Sequence, residues 1–317
     1  GNKYGSMHLS LTLGSGLGII LGGLLGRYGG PDGWRLAYGL AFILGSLALI
    51  NYSLKGMDPE RGRAEPEFEN FKGTIRYDYK LTFSSLKEIF NKKSVLAILI
   101  YILFSGIASS ALGNWAIYYL SFKFSGPDAE VYATTLYLLS GMGILPGAIF
   151  GGKIGDKFYH SGKLRGRVII SLLGLISGIL LLLLFYLLPF AASNIIETVI
   201  SWILLLALGF SGYFLISLSA GNIFAIYSEV CTPELRGRVN GFNGIMVNIG
   251  GIIGNLLLSS MIERDLSLLP LAITVVLFFW LFGSLFWLIT YVYYPRESKE
   301  CRETLAERRR EMDQKDR

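Results

Sequence analysis

The side chains of this chain that could do chemistry inside an apolar environment are amides, hydroxyls and an indole, not acids or bases. Ser110, Asn114 and Tyr118 follow one another at i, i+4 and i+8, one face of a helix, with Trp115 beside them. Tyr213, Ser217 and Gly221 repeat that spacing, with Ser219 and Asn222 on another face, and Asn243, Asn248 and Asn255 form a third set. Such groups hydrogen-bond neutral or amphipathic molecules better than they hold a naked ion. Amides buried among helices must find partners, so each set has two readings, helix–helix glue or the wall of a cavity. The wall is favoured for Asn114, Trp115 and Tyr118, and Tyr213 and Asn222 are carried with them as candidates.

Charged groups gather at two other places. Gly152-Lys153-Ile154-Gly155-Asp156 is followed by Arg165-Gly166-Arg167, and Glu229 is followed by Pro233-Glu234-Leu235-Arg236-Gly237-Arg238. Each is an acid and then a basic pair across a turn. Two segments of like grammar suggest matched latches, formed in one state and broken in another. Topology signalling with ordinary turn chemistry is the competing reading. Gly14, Gly18, Gly22 and Gly26 make an unbroken four-residue repeat, a flat strip on which a second helix can pack closely or slide.

Several apparent motifs fail on their own chemistry. Gly147 to Lys153 has P-loop spacing, but Ile154 stands where a magnesium-binding hydroxyl is needed. Gly14 and Gly16 start a dinucleotide fingerprint that Ile19 breaks. His8 and His160 lie in expected loops, and there is no Ser–His–Asp set, HExxH or Cys/His cluster, so neither an enzyme nor a cofactor or metal site is expected. Cys231 and Cys301 fall on the same expected face, where a disulfide is unlooked for.

The elements that carry these residues follow from composition. The chain has 317 residues, 52% of them hydrophobic and 16% charged, with a mean hydropathy of +0.50; soluble chains carry about 25% charged residues. Eight stretches contain no charge at all: 9–26, 36–54, 94–122, 131–152, 168–190, 198–227, 239–262 and 266–294. Each is long enough to cross about 30 Å of hydrocarbon as a helix. Continuous apolar runs such as Ile179 to Phe185 exclude alternating barrel strands. The expected fold class is therefore an all-α integral membrane protein of eight transmembrane helices. This pattern excludes a soluble enzyme, a nucleic-acid binder and a disordered tail protein.

Of the 29 lysines and arginines, 25 fall in the leading segment, the even-numbered connections and the tail, and 4 in the odd-numbered connections. By the positive-inside rule both termini are cytoplasmic, and the net charge of +6 belongs to that face, next to anionic lipid headgroups. The organisation read from these features is two helices in 1–54, a charged cytoplasmic linker in 55–93, six helices in 94–294 and a charged tail in 295–317. In the linker, Phe83, Leu86 and Phe90 lie on one face, as a short amphipathic helix on the membrane or as an extension of the next span. The tail, with Glu303, Glu307 and Arg310 at helical spacing, is expected to be solvated and without a specific partner.

On these residues the chain resembles the major facilitator superfamily. Gly152 to Asp156 with Arg165-Gly166-Arg167 is similar to the loop motif of that family's C-terminal half. Gly33-Trp34-Arg35 is similar to the approach to its sixth helix, and Pro233 to Arg238 to its loop between helices ten and eleven. The resemblance covers about residues 6–295 and makes the spans helices five to twelve of an expected twelve, a partial fold in which four helices would precede Gly1, itself not a methionine. Gly14-Ser15-Gly16-Leu17-Gly18 and Asp58-Pro59-Glu60-Arg61-Gly62 resemble the spinster-like branch, whose members export lysolipids or sphingoid lipids.

The resemblance implies secondary transport by alternating access of an amphipathic or small organic solute, with a proton or ion as coupling partner. Asn114, Trp115, Tyr118, Tyr213 and Asn222 would line the cavity, and Asp156, Arg165, Arg167, Glu229, Arg236 and Arg238 would form a cytoplasmic gate. The family's helix-five proline is absent from the glycine run, which argues against antiport. A sugar or drug carrier, or a non-transporting scaffold subunit, are the alternatives. The expected location is the cell membrane.

Overall fold

A computed structural model describes residues 2–56 and 83–315. The charged run Asp58 to Gly62 and most of the linker lie outside the described residues. Among them every regular element is helical: α1 (Asn2–Tyr28), α2 (Gly33–Lys55), α3 (Phe83–Asn91), α4 (Lys93–Ser121), α5 (Ala129–Gly141), α6 (Ile144–His160), α7 (Leu164–Leu187), α8 (Ile195–Ser217), α9 (Ala220–Val230), α10 (Pro233–Arg264), α11 (Leu269–Ser284) and α12 (Trp287–Lys315). Seven helical stretches are long and apolar enough to cross a membrane, and α1 carries a shorter apolar stretch, Leu13–Gly26. These eight coincide with the eight charge-free segments.

Three of the spans are broken in the middle. Pro146 has no N–H and its ring crowds the carbonyl of Met142, so the α5–α6 span bends there through short bonds such as Gly143 N to Ser140 O at 3.2 Å. At the α8–α9 and α11–α12 joints no proline is present. There Ser219 Oγ donates to the Ile216 carbonyl at 2.8 Å and Ser284 Oγ to that of Leu281 at 2.6 Å, back-bonding of the kind that bends helices. The charge-free segments 131–152, 198–227 and 266–294 each read as one helix in sequence; hydropathy does not register a local change of hydrogen-bond partner.

α4 lies at the centre, against α10, α11 and α12 on one side and α5 on another, while α7 packs on α8, α6 and α11. The core includes Ile98, Leu120, Ile179, Phe185, Val276 and Trp287, all fully buried. Lipid tails are as apolar as leucine, so helices here associate by close contact rather than by escape from water. The contact is closest between α4 and α10. A β-carbon at Gly106 would stand 2.6 Å from the Val247 carbonyl, and one at Gly250 or Gly254 would run into the carbonyls of Leu103 and Ile107. Gly143, Gly147 and Gly151 make the same contact for the start of α6 against the backbone at the end of α8, so Gly147, which opens the discarded P-loop spacing, serves a helix interface.

The expected strip is different. A β-carbon at Gly14, Gly18, Gly22 or Gly26 would meet nothing within 4 Å. α1 packs on α2, α6 and α9 through other faces, so the close approach anticipated at these glycines is not made among the described residues. No residue of the apolar window of α2 is buried, and side chains such as Phe42 and Leu54 are exposed.

The end of the linker forms a separate helix. α3 is cut off from α4 at Lys92, whose backbone is extended (φ −75°, ψ 101°), so it does not prolong the span. Its Ile89 is fully buried, and Phe90 meets the ring of Phe242 edge-on at 5.2 Å; α3 is anchored to α4 and α10. The tail also departs from expectation. α12 continues without interruption through Pro295 to Lys315 and buries Cys301 and Leu305 against the rest of the molecule, so it is docked, not solvated.

Gly254→Val should destabilise the fold by about 1–3 kcal/mol or more, because the obstructing atoms are backbone and cannot rotate away. Gly18→Val should be close to neutral. Thermal unfolding of both variants in detergent, followed by size-exclusion chromatography, measures the contrast.

Candidate functional site: an amide-walled cavity and a buried charge cluster

The first site lies between α4 and α10. Asn114, Trp115 and Tyr118 line a cavity of about 550 Å³ together with Asn255, Leu256, Ser259 and Ile262. Asn114 Nδ2 donates to Asn255 Oδ1 at 3.0 Å, and Asn255 Nδ2 donates to Ser110 Oγ at 2.8 Å and to the Gly251 carbonyl at 2.8 Å. Asn255 therefore has both N–H bonds committed, which fixes its orientation. Asn114 keeps an amide oxygen and one further N–H towards the cavity. Trp115 meets the ring of Tyr118 edge-on at 6.2 Å. The wall thus offers one donor–acceptor pair on an apolar and aromatic surface. Asn255 was a candidate in sequence only as part of the set Asn243, Asn248 and Asn255; the close crossing of α4 and α10 is what brings it to Asn114.

Tyr213 and Asn222 are not in this cavity. Tyr213 is buried, its hydroxyl 2.9 Å from that of Tyr186, and Tyr119 in turn donates to the Tyr186 carbonyl at 2.8 Å. This is a tyrosine ladder joining α4, α7 and α8 inside the bundle. Ser217 likewise donates to the Ile144 carbonyl at 3.1 Å, and Tyr227 to Asn243 Oδ1 at 3.2 Å. Each of these hydrogen bonds joins one helix to a neighbour within the bundle.

Asn222 belongs to the second site, around Arg167. The local chain builds it simply. Gly162, at φ +74°, closes the end of α6, with Lys163 N donating to the Phe158 carbonyl at 2.9 Å. This left-handed position suits glycine and sends α7 back along α6. A β-carbon at Gly166 would strike the Phe158 ring, so the small residue lets the two helices close up and brings Arg167 opposite Asp156. Arg167 Nη2 donates to Asp156 Oδ1 and to Glu229 Oε1, both at 3.0 Å, and Nη1 donates to Asn222 Oδ1 at 3.2 Å. The Arg167 side chain is 1% exposed, against 26% for Asp156 and 13% for Glu229. Asn222 is itself held by donating to the Leu218 carbonyl at 2.9 Å and Ser171 Oγ at 3.1 Å. Tyr294 of α12 donates to the other oxygen of Glu229, and the Tyr159 ring lies 5.3 Å under the guanidinium.

The two charged segments therefore meet in one cluster. Asp156 from the first segment and Glu229 from the second share a single guanidinium, which gathers α6, α7, α9 and α12. Arg165 stands outside it, exposed, with its guanidinium 5.1 Å over the ring of Tyr291. Arg236 donates to the carbonyls of Ser228 and Cys231, the latter at 3.1 Å, and so caps the end of α9. Arg238 sits half-buried on the first turns of α10. Identical sequence grammar misled here, since a basic pair places its two side chains in different directions on a helix.

The chain belongs to the major facilitator superfamily: the family's model matches residues 1–255. With seven helices able to cross a membrane, it is an integral multi-pass membrane protein with a partial fold of that type. Among solved structures it is similar to the crystal structure of a bacterial homologue of the human lysosomal transporter Spinster, in an inward-facing and unoccupied conformation. The identity is 17% and the TM-score 0.44, over 93% of this chain and 64% of that one. The chain thus spans less than two thirds of that protein's length. No curated protein matches it.

Removing the shared cation would leave two carboxylates facing each other with little solvent. Arg167→Met is expected to cost about 3–5 kcal/mol, the range for breaking a buried ion pair from one side. Arg165→Met should cost under about 0.5 kcal/mol, as for an exposed side chain. Melting temperatures of the two purified variants decide it.

Proposed function

We propose that this chain is the larger part of a secondary transporter that works by alternating access, carrying an amphipathic or small organic solute through the cavity at Asn114, Trp115 and Tyr118. The observation that carries the reading is the Asn114–Asn255 amide pair, oriented by Ser110 and opening on an aromatic and aliphatic wall. A polar pair that only glued helices would be sealed, whereas Asn114 and Tyr118 are exposed. Lysolipids and sphingoid lipids, with a hydrogen-bonding head and an apolar body, match that wall and are the first substrates to test.

On this reading 1–54 ends one half of the transporter, 94–294 is the other half, and the termini are cytoplasmic in the cell membrane. The Arg167 cluster holds the cytoplasmic ends of the second half in register. Asp156, Arg167 and Glu229 are the gate residues proper, while Arg236 and Arg238 shape the neighbouring turn. The glycine face of α1 is the surface on which the first half would move. The protein carries out no covalent chemistry on its solute, and a coupling proton or ion would act outside the apolar spans described here, which hold no ionisable side chain in their charge-free segments.

The test is flux in proteoliposomes across a panel of lysolipids, sphingoid bases, sugars and cationic drugs. Asn114→Ala with Tyr118→Ala should lower flux of the carried solute about tenfold or more, equivalent to roughly 1.4 kcal/mol of lost binding, while the melting temperature stays within a few degrees. Flux of a sugar alone would favour the soluble-solute reading. No flux of any panel member by the unaltered protein would sink transport and favour a scaffold.

A further inference from the structure

The charged tail is the least explained part of the molecule, and it is one face of a helix that the fold uses throughout. Glu297, Cys301, Leu305 and Arg308 lie at i, i+4, i+8 and i+11, a single stripe along the last part of α12. Every one of them is taken up by the cytoplasmic ends of other helices. Glu297 is 6% exposed. Its Oε1 accepts from the backbone N–H of Lys93 at 2.6 Å, and its Oε2 accepts from the N–H of Ser94 at 3.2 Å and from the Ser94 hydroxyl. Cys301 and Leu305 are 4% and 2% exposed. Arg308 Nη1 meets Glu234 Oε1 at 2.9 Å, on the first turn of α10. Off the stripe, Arg302 donates to the Tyr159 hydroxyl at the end of α6, and Lys92 Nζ lies 3.6 Å from Glu300 Oε2. The opposite face, with Arg296, Lys299 and Glu303, is open to solvent.

The contact with α4 has a particular meaning. The first N–H groups of a helix have no partner within it, and the residue in the capping position, Lys92, supplies no side-chain acceptor. Glu297, 204 residues away, supplies it instead, with a negative charge at the positive end of the helix. α4 is the helix that carries Asn114, Trp115 and Tyr118. Pro295 sits where the tail leaves the membrane-spanning part of α12 and removes the backbone bond to Tyr291, which makes that point a natural hinge.

We propose that residues 295–315 form a strap, closed over the cytoplasmic ends of α4, α6 and α10, in which Glu297 is the positioning residue for α4 and release of the strap shifts the cavity wall. The effect on the wall rests on the reading of α4 as the lining of a transport cavity; the docking itself does not. Nothing in the strap touches the solute. Its consequence is that a partner or modification acting on the tail would reach the cavity through the α4 cap.

The chain carries its own reporters. Its only two cysteines, Cys231 and Cys301, are both buried, Cys301 on the strap itself and Cys231 near it at the end of α9, and burial pushes the Cys231 thiol up to about 12, so it stays protonated and slow to react. The experiment is maleimide labelling of the full chain in lipid nanodiscs, read site by site by mass spectrometry, in the unaltered protein, in Glu297→Gln, in Arg308→Glu and in the charge swap Arg308→Glu with Glu234→Arg. Each is also prepared carrying Asn114→Cys as a cavity probe. The unaltered protein should label slowly at Cys301, Glu297→Gln and Arg308→Glu at least tenfold faster, and the swap near the original rate. The rate at Asn114→Cys should change threefold or more in step with Cys301.

Rapid labelling of Cys301 in the unaltered protein would show that the tail is not docked and would overturn the strap. Exposure of Cys301 with no change at the cavity probe would overturn its action on α4. If Glu297→Gln fails to fold, the Arg308 pair decides between the same two outcomes. No flux is measured, so failure of the transport reading leaves these results intact.

Discussion

Within a bilayer the backbone has no water to turn to, and its polar groups must be satisfied by the chain itself. That constraint makes every span here a helix and makes each place where a helix ends, bends or starts a structural problem to be solved by a side chain. Several of the polar contacts among the described residues are such solutions. Ser219 and Ser284 satisfy carbonyls at the bends, Arg236 takes the carbonyls at the end of α9, and Glu297 takes the N–H groups at the start of α4. The same constraint explains why the core is held by glycine. Between helices in lipid there is little hydrophobic gain, so stability comes from close contact, and Gly106, Gly250 and Gly254 bring α4 and α10 to within backbone contact.

That crossing is also what makes the candidate cavity. Asn114 and Asn255 are 141 residues apart, and they meet because the glycines below them allow two helices to touch. The amide pair is then oriented by Ser110 and by the helix's own Gly251 carbonyl. The same fold that packs the bundle therefore presents a polar pair with defined geometry to an otherwise apolar wall. Structure and site share one cause, and the site is as rigid as the crossing that supports it.

The charge cluster follows a different logic. Arg167 is almost wholly buried, and a buried guanidinium needs paired charge and hydrogen-bond acceptors around it. Asp156, Glu229 and Asn222 accept from its two terminal nitrogens, from two helices, with Tyr294 steadying Glu229 from a third. All of these belong to elements after the linker. The cluster is thus a brace within one group of helices, and the docked tail adds a second brace at the same end. Together they tie one end of the bundle formed by α4, α6, α7, α9, α10 and α12.

The sequence by itself determined the number and rough places of the spans, because the cost of burying charge in hydrocarbon is paid locally, residue by residue, and shows as charge-free segments. It also brought out Asn114, Trp115 and Tyr118, because polar residues at helical spacing inside such a segment share a face whatever surrounds them. Only the tertiary structure decided which neighbour each face meets. Glycine at four-residue spacing looks the same whether it lines a contact, as Gly147 and Gly151 do, or opens on empty space, as Gly14 and Gly18 do. Asn222 carries the same amide as Asn114, and Tyr213 the same hydroxyl as Tyr118, but both are buried among neighbouring helices. The tail reads as solvated because its charges are plentiful, yet a charge count says nothing of which carboxylate will find an uncapped helix end. Partnership across more than two hundred residues is a property of how helices cross, and no local pattern encodes it.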